Sequence, residues 1–433
     1  MTSAASSCPA IVISGAGSNQ GKTIVAAALA RYLKNSGKKV VAFKVGPDFL
    51  DPMILEYATG EKVYQLDSFM LDWDEIRNHL FKASQRFDFI IVEGLMGLYD
   101  GPSSTAELAR HLKIPVIAVI NAQGMSETFH AIAHGLKSYC ADINFLGTFA
   151  NKVGSPRHAA TLASYAKNAE SFFGSLLRNE AAEIPSRHLG LALAEELVGL
   201  DKSLNLLADC VGETKLAHLD TPCQFYPAPV QLQPQLLKDC RIAIAKDAAF
   251  CFIYQANLDI LEALGAKLSY FSPLQDMTIP AADAIYLPGG YPELHLNQLV
   301  SNSAMKTELA NWFYEGKPIY AECGGMMYLM KSLTDVHGVK HEMSGLIDGH
   351  SYMRKKLSAL AYQQLSLDGE IMRGHTFHYS ESEISEAPYC RATHPLSGSD
   401  GEWFFKIKSL WCSYLHLYFP SNAKMTASFF LLN

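Results

Sequence analysis

Ile11-Val12-Ile13-Ser14-Gly15-Ala16-Gly17-Ser18-Asn19-Gln20-Gly21-Lys22-Thr23 is a short β-branched run, a glycine loop and the start of an alanine-rich stretch that continues to Leu33. A strand, a glycine turn and a helix in that order are where a phosphate-binding loop has to lie. Backbone N–H groups of Gly17, Ser18, Asn19, Gln20 and Gly21, together with the helix N-terminus, can cradle phosphate oxygens. Lys22 can neutralise charge at the terminal phosphates, and the Thr23 hydroxyl can join a bound Mg²⁺. The strict pattern has glycine at position 16, where this chain has alanine; Gly15 and Gly17 flank it. The alternative, a strand-to-helix turn with no ligand, does not account for Gly-Lys-Thr at the helix start.

Outward from this loop, apolar β-like runs alternate with helical stretches. Strands are expected at Val40–Phe43, Phe89–Val92, Pro115–Ile120 and Phe145–Phe149, and alternation of this kind predicts a parallel sheet covered by helices on both faces. Thr221 to Pro234 is rich in proline and poor in apolar residues, and reads as a linker. It sets domains at 1–225 and 240–433, with 226–239 between them. A second α/β series follows, with strands at Arg241–Ala245, Lys267–Phe271, Ala284–Leu287 and Pro318–Tyr320 and a helix at Leu258–Leu264.

At 433 residues the chain exceeds one ordinary core, and roughly 150 residues per domain gives two or three. A net charge of −7 argues against a nucleic-acid or anionic-membrane partner. No apolar run is long enough to span a bilayer, and Met1 to Pro9 lacks the features of a secretory signal. The nine cysteines are scattered, with no C-x-x-C pair, as expected in a reducing cytoplasm.

A phosphate loop needs acidic partners for its metal. Lys44-Val45-Gly46-Pro47-Asp48-Phe49-Leu50-Asp51-Pro52 places two carboxylates just past one strand, and Glu93 ends another. Ligand sites in open α/β sheets lie at the carboxyl ends of the strands, so Asp48 and Glu93 are expected to converge beside Thr23. Asp51 reads equally as a turn former before proline. Asp100, in Gly97-Leu98-Tyr99-Asp100-Gly101, has the character of a turn aspartate.

In the second half, Pro318-Ile319-Tyr320-Ala321-Glu322-Cys323-Gly324-Gly325 runs from an apolar strand through a cysteine to two glycines that open a helix. Such a turn is expected to leave the thiol accessible, and the helix end to lower its pKa. The base it needs is distant in sequence; His416 and the pair His375 and His378 are the candidates. Gly289 and Gly290, after the strand ending at Leu287, can supply N–H groups to an oxyanion.

Taken together, the stretches Lys44–Pro52, Glu93–Gly101, Asn151–His158, Arg187–Leu191, Asp247–Phe250, Phe271–Leu274, Pro288–Glu293, Ala321–Gly325, Arg373–His375 and Ser413–His416 resemble the cobyrinic acid a,c-diamide synthase family, in order and over nearly the whole chain. The resemblance implies an N-terminal P-loop domain similar to dethiobiotin synthetase and a C-terminal class I (triad) glutamine amidotransferase domain. It implies a ligase that uses ATP, Mg²⁺ and L-glutamine to amidate carboxylates of a corrinoid through an acyl phosphate, with a homodimer left open. By the same resemblance, Cys323 attacks glutamine with His416 as its base. Lys22 and Thr23 hold ATP·Mg²⁺, while Thr23, Asp48, Asp51 and Glu93 serve the metal. Asp100 acts near the substrate carboxylate, and Asn151 contacts adenine.

Two positions depart from the pattern. Triad glutaminases carry a glutamate two residues after the histidine, where this chain has Tyr418, so the sequence does not assign the group that orients His416. Thr376 stands where the family commonly has glutamate. Related macrocycles, hydrogenobyrinic acid and nickel-sirohydrochlorin, remain open as substrates. The rival from another class is a P-loop switch of the partitioning-ATPase kind with an inert glutaminase-like module. Those switches carry a lysine near the loop's start, and residues 11 to 21 contain no lysine or arginine.

Overall fold

The computed structural model describes residues 5–167, 171–179, 186–187, 190–191, 197–230 and 232–432. It divides into two compact units, Met1–Val230 and Gln231–Asn433. His188 and Leu189 of the Arg187–Leu191 stretch, and Met1–Ala4 at the N-terminus, lie outside the described residues.

The first unit is built on an eight-stranded sheet. Its parallel strands run in the order Tyr64–Gln65, Val40–Lys44, Phe89–Glu93, Ser6–Gly15, Val116–Asn121, Phe145–Val153 and Phe172–Leu177. Ser6–Gly15 is therefore central, with Phe89–Glu93 on one side and Val116–Asn121 on the other. The chain leaves this strand through the glycine loop into the helix Lys22–Asn35, whose residues Val25 to Ala30 have no exposed surface. Four alanines in that run let the helix lie close to the sheet, beneath Leu50–Thr59 and Leu200–Gly212.

The linker expectation is corrected at its start. Pro222–Phe225 is a strand, antiparallel to Ser6–Pro9, with Cys223 opposite Cys8. Proline is tolerated as the first residue of a strand, where it withholds no ladder hydrogen bond. Cys223 and Phe225 alternate inward and are buried, a period-two pattern that proline content hid.

In the second unit five parallel strands come first: Lys267–Phe271, Arg241–Ala245, Ala284–Leu287, Ile319–Glu322 and Leu410–Ser413. The sheet then continues antiparallel through Asp400–Ile407, Cys390–Thr393, Ala359–Leu367, Glu370–His378 and His416–Leu417. That last strand follows Leu410–Ser413 closely in the chain but pairs with the far end of the extension, setting His375 opposite His416. A separate four-stranded sheet contains Lys340–Glu342, Met330–Thr334, Ile347–Met353 and Ser380–Ile384. Among the described residues no helix is long and apolar enough to cross a membrane.

Candidate active site

Each unit gathers polar side chains at the carboxyl end of its parallel strands. In the first, a cavity of about 1000 Å³ is lined by the glycine loop, by Lys22 and Thr23, and by Lys44, Asp48, Asp51, Glu93 and Asn151. Gly21 has φ +86°, and a β-carbon there would stand 2.0 Å from Asn151 Nδ2. The loop is braced from the neighbouring strands. Asn151 Nδ2 donates to the Gln20 carbonyl at 2.9 Å, and Gln20 Oε1 accepts from the Asn121 amide at 2.8 Å. Lys22 lies back over the loop, with Nζ donating to the carbonyls of Gly17 and Met96. Burial, and then the charge of Lys44, hold its pKa below the ordinary lysine value.

Thr23 Oγ1 donates to Glu93 Oε1 at 2.7 Å, so the expected approach of Glu93 to Thr23 is present. The residue without an expected role is Lys44. Its Nζ lies 2.7 Å from Asp51 Oδ2, 3.2 Å from Glu93 Oε1 and 3.9 Å from Asp48 Oδ2. Burial opposes its charge, but these three carboxylates outweigh burial and raise its pKa. Asp51 is no simple turn former: it sits in the first turn of Leu50–Thr59 and pairs with Lys44. Although burial works against it, Lys44 holds its carboxyl below the usual range. Asp48 Oδ1 accepts from the amides of Leu50 and Asp51, and burial followed by the charge of Asp51 raises its pKa. Glu93, fully buried, is pushed up to about 7, by burial first, against the pull of Lys44.

Asp100 does not line the cavity. Its Oδ2 accepts from the Gly97 amide at 2.9 Å, closing the turn, and its charge reaches Lys22.

In the second unit Cys323 directly follows the strand Ile319–Glu322, with φ 43° and ψ −105°. Its amide donates to the Ser413 carbonyl at the end of the adjacent parallel strand, 2.8 Å away. Three glycines permit the turn. A β-carbon on Gly325 would lie 2.2 Å from the Leu287 carbonyl oxygen, and one on Gly324 3.1 Å from the Gly290 amide nitrogen. One on Gly289 would lie 2.3 Å from His416 Cε1. The Gly289-Gly290 turn therefore approaches both the cysteine elbow and the histidine, which places thiol, imidazole and N–H donors together at the carboxyl ends of the parallel strands.

The expectation of an accessible, acidified thiol is overturned. Cys323 is only 6% exposed. Burial, and then the nearby Glu293 carboxylate, raise its pKa, with the Gly324 amide pulling weakly downward. The following helix, Gly324–Leu329, is a single short run of six residues. A thiol held protonated in this way needs a base to take its proton as it attacks.

His416 is buried. Its Nδ1 lies 3.7 Å from Glu322 Oε2, and the His375 ring stacks on it with centroids 5.1 Å apart. His375 meets the Tyr254 hydroxyl at 3.1 Å, and burial followed by His416 holds its pKa well below the ordinary histidine value. His378 instead pairs with Glu402 at 3.1 Å, and Thr376 Oγ1 also reaches Glu402, at 3.4 Å. At the Thr376 departure, a carboxylate thus arrives from the strand Asp400–Ile407.

The profile of the CobQ/CobB/MinD/ParA nucleotide binding domain matches residues 11–191, and that of the CobB/CobQ-like glutamine amidotransferase domain matches residues 241–424. The chain is 46% identical to a hydrogenobyrinate a,c-diamide synthase of Pseudomonas aeruginosa, over 97% of each chain. It is 47% identical to one of Stutzerimonas stutzeri, over 97% of this chain and 98% of the relative. To a cobyrinate a,c-diamide synthase of Herminiimonas arsenicoxydans it is 42% identical, over 99% and 98%.

The chain belongs to the cobyrinate a,c-diamide synthase family. It is a glutamine-dependent, amide-forming ligase with a nucleotide-binding domain and a glutamine amidotransferase domain. Both family domains fall on the polar strand ends just described.

Two outcomes follow from the first unit. Gly21→Ala should weaken nucleotide binding by about tenfold or more, because the β-carbon displaces Asn151 from a backbone of positive φ; calorimetric titration with ATP checks this, and unchanged affinity would contradict the loop geometry. Because Glu93 holds its proton to about 7 when folded but to about 4.5 when unfolded, its contribution to stability is present below the lower value and is lost as pH rises through the upper one. Denaturant unfolding of the nucleotide-free protein at pH 5 and pH 8 should therefore show a larger fall for wild type than for Glu93→Gln. Equal falls would contradict it.

Proposed function

We propose that this ligase amidates the a and c side-chain carboxylates of cobyrinic acid, using glutamine as nitrogen donor and ATP to activate each carboxylate. The observation that supports this reading is the match over nearly the whole chain to relatives named a,c-diamide synthases, that of Herminiimonas arsenicoxydans being named for cobyrinate. The metal-free hydrogenobyrinic acid is the second reading, favoured by the names of the relatives at 46 and 47% identity.

In the first unit, Gly17 to Gly21 bind the phosphates through their amides, and Lys22 swings from the Gly17 carbonyl onto them. The fit of Mg²⁺ rests on Glu93 Oε2, which is buried with no hydrogen-bond partner among the described residues. A buried carboxylate oxygen left in that state suits a cation. No group of three His, Cys, Asp or Glu residues that could hold a metal ion occurs among the described residues. That is compatible with Mg²⁺, which takes one or two carboxylates and leaves the rest of its shell to phosphate and water. Thr23 and Glu93 would hold it, with Asp48 and Asp51 paired to Lys44 beside them, and when bound it would neutralise charge on the transferring phosphoryl group. Asp100 is assigned to the approach of the substrate carboxylate and Asn151 to the nucleotide, beside its bracing of the loop.

In the second unit, Cys323 attacks the glutamine carboxamide as His416 takes the thiol proton. The amides of Gly290 and Gly324 face the oxyanion, and the proton passes to the departing nitrogen. Ammonia leaves as the thioester forms, and water then releases glutamate. Displacement of phosphate from the acyl phosphate by ammonia completes each amide.

Cys323→Ala should abolish glutamine-supported amidation yet leave synthesis from ammonium chloride largely intact, whereas Lys22→Ala should lose both. Product formation, followed by chromatography with cobyrinic or hydrogenobyrinic acid as substrate, checks the variants and separates the two macrocycles. Amidation of neither acid would contradict the reading, as would loss of the ammonium-driven reaction in Cys323→Ala.

A further inference from the structure

The strand that presents Cys323 ends in a carboxylate almost wholly buried: Glu322 is 1% exposed. A charge in such a place needs donors to hold it. It has three. Glu322 Oε1 accepts from the Tyr320 hydroxyl at 2.8 Å and from the Leu417 amide at 3.1 Å, and Oε2 accepts from the Tyr286 hydroxyl at 3.0 Å. Tyr286 and Tyr320 are register partners on adjacent parallel strands, so both phenols are set by the sheet itself. Leu417 is the residue after His416, and Oε2 also faces His416 Nδ1 at 3.7 Å. One carboxylate thus binds the amide that follows the histidine and faces its ring.

We propose that Glu322 is the positioning residue for His416, doing from the strand before the nucleophile what a glutamate two residues after the histidine does in other triad glutaminases. This rests on the glutaminase reading given above. With Nδ1–H directed at Glu322, Nε2 is the nitrogen presented to the thiol. When the Cys323 proton moves to Nε2 and the sulfur–carbon bond forms, Glu322 stays ionised and balances the imidazolium; the proton then goes to the leaving nitrogen as the carbon–nitrogen bond breaks. The 3.7 Å separation is that of an ion pair, and catalytic contacts of this kind shorten when substrate is bound.

The other groups around the ring make a counter-charge necessary. His375 stacks on one face and is kept neutral, and Phe252 meets the ring edge-on. The Tyr254 hydroxyl meets His375, and those of Tyr286 and Tyr320 donate to Glu322. The carboxylates of Glu293, Glu322 and Glu402 all act on Cys323, and among the described residues Glu322 is the carboxylate within ion-pair distance of His416. Tyr418, at the position of the usual glutamate, packs edge-on against Tyr254 instead.

The test is steady-state glutamate release by the purified full-length enzyme with ATP, magnesium, the corrin acid and glutamine, with ammonium-driven amidation measured in parallel as the control for folding. Glu322→Gln should lower the glutamine-dependent kcat by about a hundredfold or more while the KM for glutamine stays within about threefold. It should also move the acid limb of the kcat/KM profile down by about one pH unit or more, since the imidazolium loses its counter-charge. Glu322→Asp, which keeps the charge at greater distance, should fall between. Should Glu322→Gln fail to fold, Glu322→Asp decides by the same readouts. A kcat within about threefold of wild type with the acid limb unmoved would overturn the assignment. Absence of glutamine-dependent release in the wild type would instead overturn the glutaminase reading.

Discussion

Close backbone approach in the second unit fixes everything its chemistry uses. The chain turns at Cys323 in a conformation that a non-glycine residue rarely adopts, and it does so because Gly325 packs against the Leu287 carbonyl with no room for a β-carbon. Gly290 is confined in the same way against Ala249, where a β-carbon would lie 2.2 Å from the carbonyl oxygen. A side chain at either position would push the elbow away from the Gly289-Gly290 turn, and with it the thiol from the histidine. Strain at Cys323 is thus held by the sheet, not by the short helix that follows.

Both units pay for dryness with paired charge. Lys44 sits among three carboxylates with almost no exposure, and Glu322 sits among two phenols and an amide. An isolated buried charge would be prohibitively unfavourable, so each is legible only with its partners. The same dryness explains why the thiol is raised and not lowered: the low-dielectric setting and Glu293 outweigh the helix end. In the proposed glutaminase reaction, activation then depends on an adjacent base with a counter-charge of its own.

Much of this was legible in the sequence because it follows from local rules. Ile11–Thr23 could only be a strand, loop and helix, and the parallel order followed from the alternation of apolar runs. What escaped were residues whose meaning is non-local. Lys44 looked like the end of a strand until three carboxylates from two segments closed on it. Glu322 looked like part of a motif, though a carboxylate closing a four-residue apolar strand was a signal that a buried partner had to exist. Pro222–Phe225 was misread because proline content was weighed above the alternation of Cys223 and Phe225, and the pairing strand lies more than two hundred residues away. The thiol was misjudged because burial is a property of the packed unit and not of the turn.

The proposed release of ammonia requires a covalent bond at Cys323. Rapid acid quenching of the wild-type enzyme during turnover with glutamine, followed by peptide mass spectrometry, should find a glutamyl thioester on the peptide that carries Cys323 and on no other cysteine-bearing peptide. Glutamine consumption with no such adduct, or an adduct on a different cysteine, would contradict it.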